Sequence, residues 1–144
     1  MVVSKGSTPL QALGYYIPFI TSFINNMRKI EREMIQAIID RKSFNKANTS
    51  VSIGYAGTML DHNKDAYMSI RLHGHEIGRY FYNTMDLHLN NCGYETNTTK
   101  SRLNVLIDFV FGGVGNGIFQ KDWTWYMTRN GLQSEFPCNQ WVAV

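Results

Sequence analysis

Between Val51 and Leu89 apolar and polar residues change places almost step by step, and turn signals cut the alternation at short intervals. Val51, Ile53 and Tyr55 alternate with small or polar residues, as do Met68, Ile70 and Leu72. A run from Ile77 to Tyr82 follows, then Met85, Leu87 and Leu89. A period of two turns one side of each run toward a core and the other toward solvent. The breaks at His73-Gly74-His75 and Asn83-Thr84 are too short for a crossover helix. The last three runs must therefore pair antiparallel, as a meander. Ala56 to Asp65 reads as a loop.

A sheet with one apolar face needs a second layer. Two segments supply it. From about Met27 to Lys42, Ile30, Met34, Ala37 and Ile38 recur at helical spacing, with Ile35 and Ile39 widening the stripe and Asn25 or Asn26 available as a cap. From about Thr99 to Phe111, Leu103, Leu106, Ile107 and Val110 form a second stripe; Thr98 or Thr99 is placed to cap it and Gly112-Gly113 to stop it. Ile118 to Gln120 and Trp123 to Met127 read as a closing hairpin around Lys121-Asp122, and the tail from Thr128 as irregular. The fold class is α+β: an antiparallel meander packed against two amphipathic helices.

With 144 residues there is room for a single domain, placed at 27–144. Residues 1–26 form an apolar extension. Its run from Leu13 to Phe23 is broken by Pro18, lacks a cleavage site and is too short for a membrane span. It is expected to pack on the domain or on a second copy, which makes the chain a homo-oligomer with no membrane partner. Charged residues make up 17% of the chain and the net charge is +3, which permits an anionic ligand without announcing nucleic acid. Cys92 and Cys138 read as free thiols in a reducing compartment.

The motifs of nucleophilic, phosphate-loop and zinc catalysis are absent, and the carboxylates are scattered, so the chain reads as a binding protein rather than an enzyme, with no cofactor. His73 and His75 flank a turn glycine and read as surface residues, so no metal site is expected. The informative segment is Asn91 to Asn104, NCGYETNTTKSRLN. A loop rich in Asn, Thr and Gly runs into a helix that carries Lys100 and Arg102 in its first turns. Helix-start N–H groups, hydroxyls and two cations suit a phosphate. On this reading Thr98, Thr99, Lys100 and Arg102 hold phosphate. Asn91, Asn97 or Asn104 meets sugar hydroxyls, and Tyr94 stacks on a base. The plainer reading is a capped helix with two solvated cations. Tyr80, Phe81, Tyr82, Trp123, Trp125 and Tyr126 are either core or a platform for bases; alternation puts Trp123 and Trp125 on one face.

The succession IERE, NTSV, RLHGHEIGRY, NCGYETNTTKSRLN and FQKDWTWY resembles a group of small phage and prophage proteins with a GWxTxTTKxRLN motif and a closing FQKxxxWY strand. The likeness covers roughly Met27 to Tyr126. The chain departs from it at Tyr94, where the group usually has tryptophan, and in the segment before Met27. The group is in turn similar to phage anti-defence proteins that defeat the Thoeris system. That resemblance implies an oligomeric sponge in the host cytoplasm, one that holds a cyclic ADP-ribose isomer or a cyclic oligonucleotide intact. The alternative is a small phage protein that binds nucleic acid or a host regulator, with Lys100, Arg102, Arg71 and Arg79 on a basic face.

Overall fold

The computed structural model describes residues 27–55, 66–113 and 115–144. The apolar extension, the caps proposed at Asn25 and Asn26, and the loop from Ala56 to Asp65 lie outside the described residues. The elements run α1 (Lys29–Asp40), β1 (Phe44–Lys46), β2 (Thr49–Tyr55), β3 (Ala66–Leu72), β4 (His75–Phe81), β5 (Asp86–Leu89), α2 (Asn97–Phe111), β6 (Gly117–Lys121), β7 (Thr124–Arg129), β8 (Leu132–Glu135) and β9 (Val142–Ala143). The expected α+β class holds. An antiparallel sheet in the order β1-β2-β3-β4-β5-β9 carries α1 and α2 on one face, and a smaller sheet, β6-β7-β8, continues from the end of α2.

Register explains the two faces. Val51, Ile70, Gly78, Leu89 and Val142 form one row across the large sheet, and Ile53, Met68, Tyr80 and Leu87 the next. Most of these are buried, beneath Met34 and Ile38 of α1 and Leu103, Leu106 and Ile107 of α2. A Cβ on Gly78 would stand 3.0 Å from a Leu106 methyl, so the bare backbone of β4 is the floor on which α2 rests. Between Ile70 and Arg71 the β3–β4 register slips by one residue, leaving Ile77 as an extra residue in β4. That bulge puts Glu76 and Arg79 on the same, outer face, although residues three apart in a regular strand point opposite ways.

The helix ends differ from expectation. For α1 the N-cap is Arg28, whose N–H donates to the Glu31 carboxylate at 3.1 Å. Its C-cap is Arg41 in the left-handed region, with the guanidinium 4.0 Å above the Tyr82 ring. Tyr82 leaves the strand assigned to it and donates its hydroxyl to the Ile38 carbonyl. For α2 the cap is Thr96, not Thr98 or Thr99: the Thr99 N–H donates to Thr96 Oγ1 at 3.1 Å. The tail is not irregular. Asn130-Gly131, both at positive φ, closes a two-residue turn into β8, and β9 returns to pair with β5.

Trp123 and Trp125 do not share a face. Asp122 and Trp123 are the two positive-φ residues of the β6–β7 turn, so Trp123 projects from the tip, 87% exposed, while Trp125 is buried against Phe136. Among the described residues no helix is long and apolar enough to cross a membrane.

Candidate functional site

The segment singled out from the sequence splits in two. Helical periodicity places Thr99, Arg102, Leu103 and Leu106 on one stripe, and that stripe faces the sheet. Arg102 is 3% exposed. Its guanidinium donates to Glu31 at 2.7 Å, to Thr49 Oγ1 at 3.1 Å and to Asn48 Oδ1 at 3.4 Å. Glu31, equally buried, also accepts the Ser101 hydroxyl at 2.6 Å. Arg102 therefore joins α2 to α1 and the β1–β2 turn, and its role as a phosphate ligand is corrected to a structural one. Thr99 is buried beside Thr96 Oγ1. The Asn104 amide accepts the Ile118 N–H at 2.6 Å and donates to the Ile118 carbonyl at 2.9 Å, docking the small sheet on α2. The fully buried Asn91 accepts N–H bonds from Gly93 at 2.9 Å and Asn139 at 2.8 Å, which ties the loop to the C-terminal tail.

Tyr94, Asn97, Thr98 and Lys100 reach the surface together. Cys92 and Gly93 make a tight turn, closed by the Tyr94 N–H on the Asn91 carbonyl. That turn lifts Tyr94, half exposed, to within 4.8 Å of the His75 ring. Among the described residues no acceptor meets the Asn97 or Thr98 N–H, and no carboxylate pairs with Lys100. The start of a 15-residue helix is thus open beside a cation and an aromatic pair. Chemically, that arrangement offers N–H donors and a cation to an anion, and an aromatic face beside them.

A second group went unnoticed in the sequence. On the outer face of the large sheet Glu76 accepts the Ser69 hydroxyl at 2.6 Å and the Arg79 guanidinium through two N–H bonds at 3.0 and 2.9 Å. Burial pushes the Glu76 carboxyl up, but the Arg79 and Ser69 hydrogen bonds outweigh it and hold the pKa below its ordinary value. Arg79 also lies 5.1 Å from the Tyr67 centroid and 4.7 Å from that of Trp141. Only the bulge in β4 and the return of the tail bring these residues together, and neither has a local signature.

Among the described residues no three His, Cys, Asp or Glu side chains gather to hold a metal. A concavity of about 280 Å³ lies between the glycine-rich loop and the small sheet, lined by Gly113, Asn116, Ile118 and Phe119 among others; none of the expected site residues lines it.

A family model described as Kyanoviridae Gp96 protein matches residues 27–143. No curated protein and no solved structure matches the chain.

Proposed function

This chain belongs to the Kyanoviridae Gp96 family of phage proteins, and we propose that it binds and sequesters a cyclic nucleotide signal without cleaving it. The reading rests on one observation: among the described residues the Asn97 and Thr98 N–H groups meet no acceptor and Lys100 meets no carboxylate, beside the Tyr94–His75 pair. The N–H groups and the helix dipole suit a phosphate, Lys100 supplies the countercharge, and Tyr94 offers a face to a base. The host cytoplasm, where such a signal is made, is the site of action on this reading, and the ligand is held intact.

Calorimetric titration with cyclic ADP-ribose isomers and cyclic oligonucleotides tests it. Lys100→Ala should weaken binding about tenfold or more, the range of a hydrogen bond to a charged group. Mass spectrometry of ligand released by denaturation should return it unchanged. Cleaved ligand, or no binding by any member of the panel, would overturn the proposal.

A second reading is favoured by Trp123. A tryptophan 87% exposed at a hairpin tip suits contact with a host protein.

A further inference from the structure

The outer face of the large sheet is not covered by α1 or α2, and it is built for flat groups. Tyr67 lies across β2 because Gly54 has no side chain; a Cβ there would stand 2.6 Å from the ring. Beside it Arg79 is held in one orientation by the paired bonds to Glu76, and Trp141 lies over the guanidinium. A ring, a planar cation and a second ring therefore succeed one another. Trp141 is 42% exposed, and among the described residues Arg79 is its only aromatic or cationic neighbour. The Ser52 hydroxyl, in the same cross-strand row as Ser69 and Arg79, has no partner among the described residues. Asn91 clamps both the tail two residues before Trp141 and the loop that carries Tyr94.

We propose that the open face of Trp141, backed by Arg79 and Tyr67, is a further stacking site for a base of the bound nucleotide, in addition to the face that Tyr94 offers; this rests on the nucleotide reading above. A guanidinium polarises the indole behind it, and an aromatic base stacks on the other side. Charge selects a single base over a nucleic-acid strand. Among the described residues of this face Arg71 and Arg79 are balanced by Glu76 and Asp86, so successive phosphates would find no net countercharge there.

The test uses the full chain labelled for NMR, with the Trp141 indole N–H identified by its loss in Trp141→Phe. Adenosine carries the base without phosphate; pyrophosphate carries the phosphate without a base. Adenosine should shift the Trp141 indole signal, and pyrophosphate should shift the Asn97 and Thr98 amides but not the indole. Trp141→Ala should weaken adenosine and cyclic nucleotide binding about tenfold, the effect of removing one stacked ring. Trp141→Phe should keep most of the affinity. If a cyclic nucleotide binds while adenosine leaves the indole unmoved, or if Trp141→Ala binds it normally, the stacking site falls and the nucleotide reading stands. If no nucleotide binds, both fall. A single-stranded oligonucleotide that binds far more tightly than adenosine, with steep salt dependence, would overturn the proposal in favour of nucleic acid.

Discussion

Glu31 and Arg102 are two opposite charges taken almost wholly out of water, and each is satisfied several times over. Removing one partner of such a pair leaves the other buried without compensation, at a cost of about 3–5 kcal/mol. Arg102→Ala should therefore lower the urea midpoint steeply rather than act on binding alone. Replacing both residues, as Glu31→Leu with Arg102→Met, should recover most of the loss; a double variant as unstable as Arg102→Ala would show that the pair is not the cause. Asp108 is the opposite case. It is half-buried, has no partner among the described residues, and burial pushes its pKa from 3.8 to about 6. A carboxyl with a raised folded pKa favours the native state when protonated. Its contribution should raise stability as pH falls from about 6 toward 3.8 and lower it above about 6. Asp108→Asn should stabilise the protein at pH 7 by about 1 kcal/mol, after discounting the shift for partial solvent screening. It should also flatten the stability profile over that interval, whereas an unchanged profile between pH 4 and 7 would assign the dependence to another group.

At the scale of elements, the turns carry more information than the strands they join. The β6–β7 turn has positive φ at Asp122 and Trp123, a geometry that asks for glycine at the second position. A bulky residue held there costs about 1–2 kcal/mol relative to glycine. Trp123→Gly should leave the fold intact and raise stability by about 0.5–1 kcal/mol, the gain being reduced by the freer unfolded chain. Thermal unfolding checks this, and a lower midpoint would mean that the indole is packed in solution. The start of α2 shows the same economy of local geometry. Thr96 satisfies the third helical N–H and leaves the first two without an acceptor among the described residues, the donors on which the anion proposal rests.

For the whole molecule the decisive contact is helix on sheet. Gly78 lets α2 lie on β4 with Leu106 against the backbone. Gly78→Val should separate the layers and cost about 1–3 kcal/mol by overpacking, seen as a lower denaturation midpoint; a neutral result would show that the layers are looser than the 3.0 Å approach implies.

The alternation from Val51 to Leu89 and the stripes of both helices are local periodicities, so the meander, the two helices and their buried faces were legible in the chain itself. The closeness of Tyr94, Asn97, Thr98 and Lys100 was legible too, because they are neighbours in sequence, although the helix begins at Asn97 rather than at the expected Thr99. Periodicity also held an unread warning about Arg102, which lies three residues after Thr99 and four before Leu106 on the buried stripe. Asn130-Gly131 was likewise a local signal for β8. The rest depended on partners far along the chain. Arg102 finds Glu31 across 71 residues, Asn91 finds Asn139 across 48, and Trp141 reaches Arg79 only because β9 pairs with β5. A side chain's environment is set by what packs against it, and for these residues only the tertiary structure supplies that neighbour.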